Sequence, residues 1–135
     1  MKKLIIVLLV ILGGVIAYKK FANPTEMVAT IQSDADSYSE TLKLAKNNNK
    51  EVLIVFHADW CKPCQELGNV MSGLKTKIKK KYVFYYSNID NEKNLANKFG
   101  VSSIPRYFIL DSDGKVLKSG SNYKTSSEFS KWADL

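Results

Sequence analysis

The sequence predicts an α/β fold, a central mixed sheet flanked by helices and preceded by one N-terminal apolar segment. Three observations lead there. A short β-branched run, Val52 to Phe56, follows a stretch with helical spacing, as a buried central strand does. An amphipathic stripe comes next and feeds a second strand-rich segment. An Asp-Gly pair then separates two further short strands, which makes the end of the sheet antiparallel. Of the 135 residues, about 115 lie beyond the apolar segment, enough for one compact core and too few for two domains. The composition, 45% hydrophobic, 11% aromatic and 24% charged, excludes a disordered or collagen-like chain.

Taken in order, Leu4 to Tyr18 is a nearly unbroken apolar run behind Met1-Lys2-Lys3, the arrangement of a secretory signal or signal anchor. The leading positive charges hold that end in the cytoplasm and place the residues after Tyr18 across the membrane, with Lys19 and Lys20 pulling the other way. Fifteen residues fall short of the roughly 20 of a full span, a deficit that snorkelling lysines and local thinning can absorb. The expectation is a retained anchor; cleavage after Val15-Ile16-Ala17, releasing a secreted domain, is the alternative. Residues 1–20 are thus read as the anchor or signal, 21–34 as a tether opened by Asn23-Pro24, and 35–135 as the folded domain.

Within that domain Ala35, Tyr38, Leu42 and Ala45 fall at helical spacing, and Asn47-Asn48-Asn49 ends the helix before the first strand. Leu67, Val70, Met71, Leu74 and Ile78 then trace one face of a helix from Cys61 to about Lys80, which Gly68 and Gly73 weaken. Tyr82 to Tyr86 reads as a strand. Asp90 is placed to cap a short helix reaching Phe99 and stopped by Gly100. Strands at Arg106 to Leu110 and Lys115 to Lys118 flank the Asp111-to-Gly114 turn, and the capping-box spacing of Thr125 and Glu128 starts a last helix with Phe129, Trp132 and Ala133 on its apolar side.

The formal charge of +7 raises the question of nucleic acid. Setting aside the four lysines that flank the apolar run leaves 16 basic against 13 acidic residues, or +3. The cluster Lys75, Lys77, Lys79, Lys80, Lys81 comes without a finger, helix-turn-helix or RNA-recognition signature. A solvated lysine face is expected and no nucleic-acid partner.

The chain has two cysteines, Cys61 and Cys64, at the junction of a buried strand and a helix. Unpaired amides and the positive end of the helix dipole favour a thiolate there, so Cys61, at the helix mouth, is the expected nucleophile. Pro63 fits the first helical turn, where its missing N–H costs nothing, and Lys62 adds positive charge. Two other readings compete with redox chemistry. A structural disulfide across so small a loop restrains the unfolded chain little. A zinc site would have to recruit His57 and Asp59, an awkward set.

Phe56-His57-Ala58-Asp59-Trp60-Cys61-Lys62-Pro63-Cys64, together with Val101-Ser102-Ser103-Ile104-Pro105, resembles the thioredoxin-like family, a likeness covering residues 35–135. The resemblance implies that family's fold, a cis Ile104–Pro105 bond beside the sulfurs, and a loop there presenting backbone groups to an extended substrate. It also implies that Trp60 covers the site, that Trp60, Lys62, Pro63, Ile104 and Pro105 contact substrate, that Cys61 and Cys64 are catalytic, and that no cofactor or metal takes part. One departure stands out: many members carry a buried aspartate where this chain has Val55, and its lysine partner is replaced by Tyr86. Cys64 is thereby left with water, Asp59 or Glu66 as proton acceptor. The function implied is thiol-disulfide exchange, with reduction of extracytoplasmic protein disulfides preferred because Pro63 disfavours an easily reduced bond. A membrane electron-donor protein and a monomeric state are expected. A disulfide donor or isomerase, and a non-catalytic binding module using the Pro105 loop, are the alternatives.

Overall fold

A computed structural model describes residues 30–135; the apolar segment and most of the tether lie outside the described residues. The elements are α1 (Tyr38–Asn48), β1 (Glu51–His57), α2 (Lys62–Gly73), α3 (Lys75–Lys81), β2 (Tyr82–Asn88), α4 (Lys93–Lys98), β3 (Arg106–Leu110), β4 (Val116–Ser121) and α5 (Ser126–Trp132). The sheet runs β2-β1-β3-β4, with β1 parallel to β2 and antiparallel to β3, and β3 antiparallel to β4. It is the expected mixed sheet flanked by helices.

The run Val52 to Phe56 is buried throughout because both sheet faces are covered. Strand alternation divides its side chains. Leu53 and Val55 join Phe84, Tyr107 and Ile109 under Leu67, Met71, Ile78 and Phe129 of α2, α3 and α5. Val52, Ile54 and Phe56 join Val83, Tyr85, Phe108 and Leu110 on the side of α1 and α4, with Ala45 and Ala96. Cap chemistry sets the ends: the Ser37 hydroxyl receives the Glu40 N–H, Asn49 closes α1 with φ 51°, and Thr125 and Glu128 form the capping box of α5.

Four expectations are corrected. The single helix from Cys61 to about Lys80 is two, broken at Leu74 (φ −101°, ψ 7°), where Gly73 ends the first and lowers the cost of leaving helical geometry. Both pieces still bury their part of the stripe, with Leu67, Met71 and Ile78 fully inside. Asp90 does not cap α4: Glu92 stands there without a side-chain cap bond, its carboxylate accepting instead from the Tyr85 and Ser87 hydroxyls at 2.6 and 2.7 Å. β2 and β4 run longer than read, to Asn88 and Ser121.

The fourth concerns residues 31–34, assigned to the tether. Ile31 is fully buried, and its N–H donates to Ser72 Oγ at 3.0 Å. Asp34 N–H donates to the Phe84 carbonyl at 2.9 Å, while the Phe84 and Tyr86 N–H groups donate to Asp34 Oδ2 and Ser33 Oγ, both at 2.8 Å. Lys79 pairs with Asp34 at 2.7 Å. The outer edge of β2 needs partners for its backbone, and short polar side chains supply them where a further strand would otherwise lie.

Candidate active site

The end of β1 delivers the two sulfurs. After His57 the chain turns, with Cys61 N–H donating to the Ala58 carbonyl at 3.2 Å and Gln65 Nε2 bracing the turn on the Asp59 carbonyl at 2.7 Å. Cys61 is the N-cap of α2; its Sγ accepts from Cys64 N–H at 3.3 Å, and Pro63 occupies the first turn. No acidic residue sits in that turn, so nothing there offsets the positive end of the helix. Cys61 and Cys64 are joined as a disulfide. Both cysteines are buried, Cys61 at 5% exposure and Cys64 at 1%, so Cys61 is the residue nearer the surface.

The remaining expected site residues surround this bond. Ile104 and Ile89 pack against Ala58, Cys61 and Cys64. The Ile104 carbonyl lies 3.9 Å from Cys61 Sγ, and the Ile104–Pro105 bond is cis. Lys62 and Pro63 face solvent, whereas Pro105 is buried. Trp60 is 69% exposed, yet its indole N–H donates to Asp90 Oδ2 at 3.0 Å, so a large apolar surface is held in one orientation beside the sulfurs. Among the described residues no cluster of three or more His, Cys, Asp or Glu side chains is placed to hold a metal ion.

Asp90 is the residue sequence reasoning misassigned. The signal was available in the register: His57 pairs with Asn88, so the residues just past both strand ends, Trp60 and Asp90, share one end of the sheet. Asp90→Ala is expected to raise KM for a protein disulfide roughly fivefold, the worth of about 1 kcal/mol of lost hydrogen bonding, with little change toward a small aromatic disulfide. Steady-state kinetics on both substrates checks this; equal losses on the two would show that Asp90 serves the sulfurs and not the docking of Trp60.

Val55 is fully buried, paired across the sheet with Tyr86 and Tyr107. No charge occupies that place, so the familiar carboxylate is absent and its apolar replacement is well packed. Two residues on, His57 stacks on Tyr86 with ring centroids 3.6 Å apart and planes at 19°.

Residues 38–135 match the thioredoxin-like domain family. The chain belongs to that family. The chloroplastic thioredoxin-like protein HCF164 of Oryza sativa subsp. japonica is 30% identical over 103 residues, 75% of this chain and 38% of that protein. The thiol:disulfide interchange protein TxlA of Synechococcus elongatus is 28% identical over 114 residues, 83% of this chain and 55% of its own. Among solved structures a wild-type poplar thioredoxin h superposes with TM-score 0.65 at 20% identity, covering 72% of this chain and 86% of that one, a likeness of fold. This chain therefore spans well under two thirds of the rice and Synechococcus relatives. Within a thioredoxin-like domain, a disulfide at a helix mouth with one cysteine nearer the surface suits thiol-disulfide exchange.

Proposed function

We propose that this thioredoxin-like chain is a thiol-disulfide oxidoreductase, held to a membrane by its N-terminal segment, that reduces disulfides of extracytoplasmic proteins. The observation that carries the reading is the Cys61–Cys64 bond capping α2, with Cys61 the cysteine nearer the surface and the fixed indole of Trp60 beside it. In the reduced form Cys61 thiolate attacks one sulfur of the client disulfide. The client bond breaks, its electron pair leaves on the second client sulfur, and that thiolate takes a proton. Cys64 then loses its proton and attacks Cys61 Sγ in the mixed disulfide, expelling the first client sulfur. The client gains two electrons, and the chain ends with Cys61 and Cys64 bonded.

Resetting the pair takes two electrons from a dithiol partner. A membrane electron-donor protein fits an extracytoplasmic site, where soluble reductants are scarce. The basic start and apolar run of residues 1–20 support that placement. The name of the Synechococcus relative, a thiol:disulfide interchange protein, supports the exchange chemistry.

The full chain in detergent micelles, supplied with dithiothreitol, should reduce the disulfides of insulin and precipitate its B chain. A chain that folds and binds insulin without reducing it would instead be a binding module. Equilibration with glutathione settles direction, since a strongly oxidising potential identifies a disulfide donor. For location, a membrane-impermeant thiol reagent should label Cys61 in intact cells after mild reduction; labelling only after lysis places the domain in the cytoplasm.

A further inference from the structure

The only histidine in the chain belongs to the strand that leads to the redox pair and is not used by the exchange steps above. His57 ends β1 on the sheet face that α2 covers, the face it shares with Val55 and Tyr86. On the facing side of α2, Cys64, Leu67, Gly68 and Met71 are buried. The hydroxyl of Tyr86 reaches this helix: a methyl at Gly68, one turn beyond Cys64, would sit 3.2 Å from it. The His57 backbone is tied to the same place twice, since its carbonyl accepts from Ile89 N–H at 2.9 Å and its neighbour Ala58 packs with both cysteines.

We propose that His57 is a positioning residue for the redox reaction, its imidazole taking up a proton as the Cys61–Cys64 disulfide is reduced and releasing it as the disulfide re-forms. This rests on the oxidoreductase reading above. Reduction by a dithiol passes two electrons into the sulfur–sulfur bond, and the donor leaves as a disulfide. Of its two protons, one goes to Cys64, Cys61 remains a thiolate, and His57 keeps the other as an imidazolium. Charge and atoms balance, and the imidazolium offsets the new anion.

The surroundings favour this division. Burial of the imidazole holds its pKa below the ordinary histidine value, while Asp59, beyond the end of its strand, and Glu92, ahead of α4, pull it back up. Tyr86, from β2, is pushed up to about 12 by burial and by Asp59, so it stays neutral and supplies a stacking surface. Cys64 lies on the buried side of α2, the helix that covers this sheet face. With the disulfide closed the imidazole is neutral near pH 7; a thiolate nearby shifts the balance toward its charged form. By linkage, the factor by which reduction raises the proton affinity of His57 is the factor by which protonated His57 favours the thiolate.

The test is an NMR titration of the single imidazole in the full chain in micelles, once oxidised and once under dithiothreitol. Proton affinity should be several-fold higher in the reduced protein; the same titration midpoint in both forms overturns the proposal. His57→Phe keeps a ring against Tyr86 and removes the proton site. In that variant the pH profile of Cys61 alkylation should lose its histidine step and the thiolate fraction at acid pH should fall several-fold. A profile unchanged from wild type would leave only a packing role and sink the idea. The insulin assay on the wild type is separate: no turnover there defeats the oxidoreductase reading, whereas turnover with a redox-insensitive His57 defeats this inference alone.

Discussion

Cys61→Ser is expected to lose at least about a thousandfold in insulin reduction while folding normally, because a hydroxyl at the helix mouth stays protonated at neutral pH and cannot replace the thiolate. The fold should tolerate the change: serine is a favoured N-cap, and its oxygen can accept the Cys64 N–H that the sulfur now accepts at 3.3 Å. Circular dichroism and the thermal midpoint separate lost chemistry from lost structure. Cys64→Ser should behave differently, since the first attack survives and the second does not. It should accumulate clients joined covalently to Cys61, visible on non-reducing gels and released by dithiothreitol. Residual turnover in Cys61→Ser would move the nucleophile elsewhere, and Cys64→Ser cells without adducts would deprive the exchange mechanism of clients.

The second large effect lies away from the site. Tyr107 is fully buried, and its ring leans across the sheet over its register partner Gly120. Its hydroxyl donates to the carbonyls of Ser121 and Asn122 at 2.8 and 3.1 Å, and Trp132 meets the ring edge-on at 4.7 Å. A methyl at Gly120 would overlap the Tyr107 ring and come within 3.0 Å of Trp132. Gly120→Ala gains about 0.5–1 kcal/mol by removing glycine from a strand. Overpacking costs roughly 1–3 kcal/mol or more, and a ring fixed by a hydroxyl proton shared between two carbonyls and by a second aromatic has little room to retreat. Net destabilisation near 2 kcal/mol is expected in denaturant melts, a large part of the 5–15 kcal/mol typical of a domain. A neutral or stabilising result would mean that the β4–α5 junction repacks freely.

Much of this was legible in the chain. Val52 to Phe56 and Arg106 to Leu110 declare themselves as strands by composition, the Leu67-to-Ile78 stripe by period, and the cysteine pair by its position between strand and helix. The parts that escaped depend on distant partners. Nothing local distinguishes Ser33 and Asp34 from linker residues; they become structural because β2, some fifty residues later, has an open edge. Asp90 looks like a cap until the parallel register sets it beside Trp60. The loss of the familiar carboxylate at Val55 was plain, but the His57–Tyr86 stack was not, since it requires two strands to be laid side by side.

The strap formed by residues 31–34 also closes the outer rim of the sheet. The buried Ile31 side chain, a few side-chain oxygens, one backbone bond and one ion pair hold it there, so a load on the strap meets these before it reaches the interior ladder of the sheet. Asp34→Ala should accordingly speed deuterium uptake at the Phe84 amide while the amides of β1 stay protected; uniform protection would show that the rim is sealed by other means. Two residues beyond Phe84 in β2 is Tyr86, whose amide is held by Ser33 of the strap and whose ring lies on His57. A disturbance of the strap is therefore passed through one side chain, Tyr86, to His57 at the end of the strand that leads to Cys61.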